Sequence, residues 1–152
     1  MIVTPVLLFL CTGNYYRSRF AELLFNQHAT SAHLPWRAES RGIALDLGVN
    51  NRGPISPSAL AGLRRRGITL GADVRFPQQL QEDDLVRATR IIALDETEHR
   101  PLLVHRFPTW IERVEFWHVP DVPHASVTAA LATMDNQIYH LIRALSQQLR
   151  AS

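Results

Sequence analysis

Residues 7–18 read LLFLCTGNYYRS and place the one cysteine of the chain, Cys11, at the end of an apolar run. A short apolar run that ends in a turn containing Gly13 is typical of a buried strand. The residues from Arg17 onward have the pattern of a helix start. Cys11 is therefore expected in a loop between a strand and a helix.

Such a loop can bind an anion, because the first turn of a helix carries unpaired N–H groups and a partial positive charge. Gly13 and Asn14 tolerate left-handed backbone, which lets successive N–H groups face inward. Arg17 can offer two donors to one phosphoryl group, and the same positive field favours the nucleophilic thiolate of Cys11. A lone cysteine at a strand end is usually a small buried hydrophobe. That alternative is disfavoured here because these residue types occur together between a strand and a helix.

Strand and helix patterns alternate along the chain. Strands are predicted at residues 2–10, 36–40, 91–94 and 115–118. Helices are predicted at residues 18–29, 56–67, 96–105 and 127–149. This order predicts an α/β fold with three layers, in which helices cover both faces of a four-stranded parallel sheet and the phosphate-binding loop joins the first strand to the first helix. In such sheets, ligands bind at the carboxyl ends of the strands.

The length of 152 residues predicts a single domain over residues 1–152. The apolar run before Cys11 is too short to span a membrane, and no secretory signal pattern is found, so we expect a cytoplasmic protein that does not bind membranes. A single cysteine excludes an intramolecular disulfide and suits a reducing compartment.

All sixteen basic residues are arginine, yet the net charge is only +2. The cluster Arg64, Arg65 and Arg66 precedes Gly67, where cations complement the dipole at a helix end, so no nucleic-acid binding is predicted. The seven histidines do not form a set of metal ligands, because His99 and His105 are out of phase on one helix. No metal or other cofactor is expected.

A family resemblance rests on Cys11-Thr12-Gly13-Asn14, on Arg17-Ser18 and on the residues Phe20, Ala21, Glu22 and Phe25 that follow. Together they resemble the N-terminal signature of the low-molecular-weight protein tyrosine phosphatases and their arsenate reductase relatives. Further segments fall where that family would place them: Ser40 and Gly42, Gly53-Pro54, residues 91–95 and Val119-Pro120-Asp121. The resemblance therefore covers nearly the whole chain.

This resemblance implies hydrolysis of a phosphate monoester through a cysteinyl-phosphate intermediate, the substrate being a phosphotyrosine protein or a small aryl phosphate. Cys11 would attack phosphorus, Arg17 would hold the phosphoryl oxygens, and Asp121 would act as the general acid and then as the base for water. The residues implied in phosphate binding and loop support are Thr12, Gly13, Asn14, Tyr15, Tyr16, Ser18 and Ser40. Among these, Ser18 matches the hydroxyl that bonds the thiolate, and Asn14 and Ser40 match the pair that holds the loop.

The sequence departs from the family pattern at the mouth of the site. Residues 44–47 and 122–125 contain no Phe, Tyr or Trp where the family carries aromatic side chains, although Tyr15 and Tyr16 could supply an aromatic wall. Val122 also separates Asp121 from Pro123, so Asp121 could instead be an ordinary turn residue.

Tyr16 replaces a second cysteine that is common in the family, so oxidised Cys11 has no partner thiol within the chain. Arsenate reduction of the thioredoxin-coupled type uses two further cysteines, which this chain lacks. The arsenate reductase alternative is therefore limited to an enzyme that depends on an external thiol. A weakly active phosphate-binding module is the other alternative. The expected partner is a phosphorylated protein or small phosphate ester, and the expected state is a monomer or a weak homodimer.

Overall fold

The computed structural model describes residues 3–152. Its sheet has four parallel strands in the order β2-β1-β3-β4, and these are β1 (Val6–Cys11), β2 (Arg37–Gly42), β3 (Arg90–Ala93) and β4 (Val114–Phe116). The helices are α1 (Arg17–Ser31), α2 (Pro57–Arg65), α3 (Glu82–Arg87), α4 (Glu96–Arg106) and α5 (Val127–Ala151). The predicted α/β class and the parallel sheet are confirmed.

Strand β1 is central, because it pairs with β2 on one side and with β3 on the other. Its side chains alternate between two hydrophobic cores, as the period of a strand requires. Leu7 and Phe9 pack in the core that contains α1, α2 and α5. Leu8 and Leu10 pack in the opposite core, which includes Leu85 of α3 and Leu103 of α4. Burial on both faces explains why this strand is a continuous apolar run.

The helix and strand bounds differ from the predicted ones in a few places. The first strand begins at Val6, and Ile2, where the prediction began it, lies outside the described residues. The second strand continues to Gly42 rather than ending at Ser40. Leu149 belongs to the apolar spacing of α5 but is exposed, because the end of this helix extends past the core.

Helix α3 and two short 3-10 helices, at Leu45–Leu47 and Pro108–Arg113, were not predicted. Each has six residues or fewer, which is too short for apolar periodicity to be visible. Helix α3 is stabilised at its N-terminus instead, since the backbone N–H of Gln81 donates to Asp84 in a capping box. The predicted cap of α2 is present, because Ser56 Oγ accepts hydrogen bonds from the N–H groups of Ser58 and Ala59.

No helix among residues 3–152 is long and apolar enough to cross a membrane.

The end of β2 lies directly against the loop that follows β1. Ile43 and Ala44 donate backbone hydrogen bonds to the carbonyls of Cys11 and Thr12, at 2.9 and 3.0 Å. At Gly42, an added Cβ atom would lie 2.9 Å from the Thr12 carbonyl oxygen and 3.0 Å from the Asn14 nitrogen. Only a residue without a side chain allows this approach, so Gly42 sets the position of the loop.

We expect Gly42→Ala to lower the free energy of unfolding by about 1–3 kcal/mol, because the new methyl group overpacks against backbone that cannot move away freely. Urea denaturation measures this change. The control is Gly71→Ala, where no atom of residues 3–152 lies within 4 Å of the added Cβ atom. Equal stability of the two variants would contradict the close approach at Gly42.

Candidate active site

The loop of residues 12–16, called here the phosphate loop, connects β1 to α1. Cys11 ends the strand, is only 3% exposed, and has its Sγ atom 2.9 Å from the Oγ atom of Ser18 in the first turn of α1. Within residues 3–152, no side chain caps the start of α1 at Tyr16. The first turn of this helix therefore keeps its N–H groups available for an anion.

Asn14 holds the shape of the phosphate loop. Its backbone has φ 51°, in the left-handed region, and its side chain is completely buried. The amide Nδ2 donates to Ser18 Oγ and Ser40 Oγ, each at 2.9 Å. The amide Oδ1 accepts from Arg75 Nη1 and from the backbone N–H of Gln78, each at 3.0 Å. Both donors and the acceptor of the amide are thus satisfied, which fixes the side chain and the strained backbone together.

Arg75 and Glu22 extend this network beneath the phosphate loop. Arg75 Nη2 lies 3.1 Å from Glu22 Oε1, and Ser40 Oγ donates to the same carboxylate oxygen at 2.5 Å. Arg75 comes from a segment without regular structure, and no pattern in the sequence marked it as a site residue. Burial, followed by repulsion from Arg75, lowers the pKa of the neighbouring Arg19 to about 10.

Arg17 is buried beside Cys11, with its side chain 3% exposed. Its Nη1 atom donates to the Val119 carbonyl at 2.9 Å and its Nη2 atom to Glu98 Oε2 at 2.7 Å. Nη2 also lies 3.6 Å from Asp121 Oδ2. Burial opposes the charge of Arg17, but nearby Cys11, Glu98 and Asp121 raise its pKa overall, so the guanidinium stays charged.

Glu98 and His99 belong to the first turns of α4, and sequence reasoning assigned them no role in the site. Thr12 Oγ1 donates to Glu98 Oε2 at 2.5 Å. Burial alone would raise the pKa of Glu98, but contacts with His99, Arg17 and Thr12 hold it well below its usual range. The helical pattern of this segment gave no signal that one carboxylate faces the phosphate loop.

His99 is completely buried behind Glu98. Its Nδ1 atom accepts from the backbone N–H of Asp95 at 2.9 Å, so Nε2 carries the proton of the neutral ring. Nε2 lies 3.2 Å from Glu98 Oε2 and has no hydrogen bond of good geometry within residues 3–152. Burial lowers the pKa of His99, and the ring is therefore neutral near pH 7.

A cleft of about 280 Å³ opens above the phosphate loop. The residues predicted for the site that line it are Cys11, Thr12, Gly13, Tyr15, Tyr16, Arg17 and Asp121. The other three, Asn14, Ser18 and Ser40, are completely buried beneath the loop. The structure thus brings the predicted nucleophile, the arginine and the predicted acid to one cleft and places the predicted supporting residues under it.

Apolar and aromatic side chains form part of the lining of the cleft. Tyr15 donates its hydroxyl hydrogen to the Arg52 carbonyl at 2.6 Å. Tyr16 packs against the core, and its buried hydroxyl has no hydrogen-bond partner within residues 3–152. Burial, followed by the charge of Asp121, raises the pKa of Tyr16. The aliphatic side chains in the same lining are those of Leu47, Val122 and Val127.

Asp121 lies in the loop between β4 and α5, with its side chain 44% exposed. Its Oδ1 atom accepts from the backbone N–H of Val122 at 2.9 Å. Oδ2 accepts no hydrogen bond in the described part of the chain and lies 3.6 Å from Arg17 Nη2. This oxygen is therefore free to hydrogen-bond a bound molecule.

The sequence and fold of the chain are similar to those of known proteins. The family model described as low molecular weight phosphotyrosine protein phosphatase matches residues 6–152. No protein of curated function matches the sequence.

Three solved structures illustrate the likeness. The low molecular weight protein tyrosine phosphatase from T. tengcongensis is 25% identical with a TM-score of 0.70, over 97% of this chain and 98% of that one. A low molecular weight phosphotyrosine phosphatase from Vibrio cholerae O395 is 21% identical with a TM-score of 0.76, over 95% and 98%. The YwlE arginine phosphatase from Geobacillus stearothermophilus is 23% identical with a TM-score of 0.69, over 97% and 94%.

The buried, neutral state of His99 predicts a pH dependence of stability. The unfolded chain binds a proton at this ring near pH 6.5, whereas the folded chain does so only at lower pH. This contribution to stability is therefore complete above pH 6.5 and is lost as the pH falls through 6.5 toward the folded-state pKa, by up to about 1.4 kcal/mol per pH unit. Urea denaturation at pH 7, 6 and 5 measures it.

The variant His99→Asn keeps an acceptor for the Asp95 N–H but cannot titrate, so its stability should fall less between pH 7 and pH 5. Exposed His105 is the matched control, and the stability of His105→Asn should depend on pH as that of the unchanged protein does. If the free energy of unfolding changed equally with pH in all three proteins, His99 would not take up a proton on unfolding.

Proposed function

The chain belongs to the low molecular weight phosphotyrosine protein phosphatase family, and we propose that it hydrolyses phosphate monoesters through a phosphoryl group carried on Cys11. The observation that carries this proposal is the meeting of Cys11, Arg17 and Asp121 in one cleft at the carboxyl end of the central strand. The proposed substrate of this reaction is a phosphotyrosine protein or a small aryl phosphate.

In the first step, the Cys11 thiolate attacks phosphorus opposite the leaving oxygen. Arg17 and the N–H groups of the phosphate loop hold the other phosphoryl oxygens, where charge is spread in the transition state. The bond between phosphorus and the leaving oxygen breaks as the S–P bond forms. Asp121 gives its proton to that oxygen, because an alkoxide or phenoxide leaves poorly without one.

In the second step, Asp121 takes a proton from water and the oxygen of that water attacks phosphorus. The S–P bond breaks, its electron pair returns to sulfur, and inorganic phosphate is released. Ser18 supports this step, because its hydroxyl lies 2.9 Å from Cys11 Sγ and can stabilise the departing thiolate.

An aromatic leaving group is favoured by the apolar and aromatic side chains that line the cleft, which are those of Tyr15, Tyr16, Leu47, Val122 and Val127. A phosphoarginine side chain is a second candidate, and it is favoured by a different observation. Glu98 and Asp121 both bring carboxylates to the cleft, and a guanidinium leaving group would pair with them. The name of the Geobacillus relative, an arginine phosphatase, agrees with this candidate. Release of phosphate from matched phosphotyrosine and phosphoarginine peptides distinguishes the two.

A cytoplasmic location is proposed, because a lone reactive thiol persists in a reducing compartment. A monomer or weak homodimer is proposed for solution, because one chain supplies all the residues that carry the reaction.

Replacement of the nucleophile and of the acid tests the reaction. We expect Cys11→Ser to abolish hydrolysis of p-nitrophenyl phosphate. Asp121→Asn should lower kcat about 10²–10⁴-fold for phenyl phosphate but much less for p-nitrophenyl phosphate, whose leaving group needs little protonation. Exposed Asp83 of α3 provides the control Asp83→Asn, which should leave both rates unchanged. If Asp121→Asn lowered kcat equally for both substrates, Asp121 would not be the acid. Absence of activity in the unchanged protein would contradict the proposal.

The lone cysteine predicts inactivation by peroxide that is poorly reversed. Oxidised Cys11 cannot form a disulfide within the chain, because no second cysteine is present, so the sulfenic acid proceeds to higher oxidation states. Activity after peroxide and then dithiothreitol measures recovery, and mass spectrometry of the Cys11 peptide identifies the product. Inorganic phosphate added before peroxide should protect by filling the cleft. Full recovery without overoxidation would contradict this prediction.

A further inference from the structure

Glu98 places a carboxylate against the arginine that would bind phosphate. Its Oε2 atom accepts from Arg17 Nη2 at 2.7 Å and from Thr12 Oγ1 at 2.5 Å, and lies 3.2 Å from His99 Nε2. The side chain lines the same cleft as Cys11. An anionic group at an anion-binding site opposes the charge of the ligand, so this contact calls for a functional explanation.

We propose that Glu98 is a positioning residue that fixes the guanidinium of Arg17 and whose charge lowers the affinity of the cleft for phosphate, which speeds the release of product. The inference rests on the proposed function, since it takes the anion in the cleft to be a phosphoryl group. It adds to that function a control of how tightly the product is held.

The positioning role follows from the two acceptors that Arg17 meets. The guanidinium is planar and its N–H donors have a fixed arrangement. Val119, after β4, accepts from Nη1, and Glu98, at the start of α4, accepts from Nη2. Two acceptors on separate elements determine both the place and the rotation of the group, and leave its other donors for phosphoryl oxygens. A long side chain without one of these acceptors would lose that orientation.

Glu98 is itself held in place, which a positioning residue requires. Its backbone N–H donates to Asp95 Oδ2 at 3.2 Å in the cap of α4, and the first turn of a helix stabilises a carboxylate. Thr12 ties its side chain to the phosphate loop. The carboxylate therefore connects α4, the phosphate loop and Arg17.

The role of its charge follows from the balance of charges around the cleft. The charged side chains of Asp, Glu and Arg residues that line it are those of Arg17, Glu98 and Asp121, which are one cation and two carboxylates. A phosphate dianion thus meets more negative than positive side-chain charge and depends on the N–H groups of the loop and helix. Tight binding of product would slow turnover, so a carboxylate that weakens phosphate binding favours release.

The variant Glu98→Gln separates the two roles. All three contacts reach Oε2, and no group within residues 3–152 hydrogen-bonds Oε1. The amide oxygen of glutamine can therefore take the place of Oε2 and keep Arg17 oriented, while the negative charge is lost. We expect the dissociation constant of inorganic phosphate to fall about three- to tenfold, because a nearby like charge is removed. Titration calorimetry measures this constant. The kcat for p-nitrophenyl phosphate should change little where a chemical step limits turnover. Where release of phosphate limits turnover, kcat should fall.

The variant Glu98→Ala removes the acceptor as well. Its kcat should fall about tenfold or more, because Arg17 is no longer oriented, and Glu98→Gln should retain most of the activity that Glu98→Ala loses. The control is Glu96→Gln on the same helix, where the carboxylate pairs with Arg100 outside the cleft. This control should bind phosphate and turn over substrate like the unchanged protein, and urea midpoints show that each variant is folded.

Phosphate binding by Glu98→Gln that is equal to or weaker than that of the unchanged protein would overturn the role of the charge. A Glu98→Ala variant with unchanged kcat would overturn the positioning role. Both outcomes can occur while Cys11-dependent hydrolysis persists, so they leave the proposed function standing. Absence of hydrolysis by the unchanged protein contradicts the proposed function instead, and the calorimetric comparison still decides whether the charge of Glu98 weakens phosphate binding.

Discussion

The strained backbone of Asn14 is the constraint on which the site depends. At φ 51° the chain turns sharply enough for the phosphate loop to close between Cys11 and Arg17, and such a conformation costs free energy at a residue other than glycine. The hydrogen bonds of the Asn14 side chain to Ser18, Ser40, Arg75 and the Gln78 backbone offset that cost. The shape of the loop and the positions of Cys11 and Arg17 at its two ends are therefore fixed together by one buried amide.

The sheet topology brings the other parts of the site to this loop. Because β1 lies between β2 and β3, and β3 pairs with β4, the segments that follow these strands meet at one edge of the sheet. The end of β2 supplies Ser40 beneath the loop. Helix α4, after β3, supplies Glu98, and the segment after β4 supplies the Val119 carbonyl and Asp121. The cleft is thus a consequence of strand order, and its charges come from segments distant in sequence.

The features of the fold and the site that could be predicted from the sequence are those that depend on residues close together in the chain. The apolar run of β1, the spacing from Cys11 to Arg17 and the cap of α2 are short-range patterns, and the fold they indicated is confirmed. Arg75 and Glu98 could not be found in this way, since their contacts with Asn14 and Arg17 span 61 and 81 residues. Their segments carry no periodicity or motif that identifies a partner, because a charged side chain in a loop or helix usually faces solvent.

The central claim is that the buried amide network presents Cys11 as the group that carries the phosphoryl intermediate. It is tested most directly by mass spectrometry of the Cys11 peptide, after turnover of p-nitrophenyl phosphate is stopped by rapid denaturation. The account predicts a phosphoryl group on Cys11 in the unchanged protein and none on this peptide in Cys11→Ser. Sustained release of p-nitrophenol with no phosphoryl group on Cys11 at any time would contradict it.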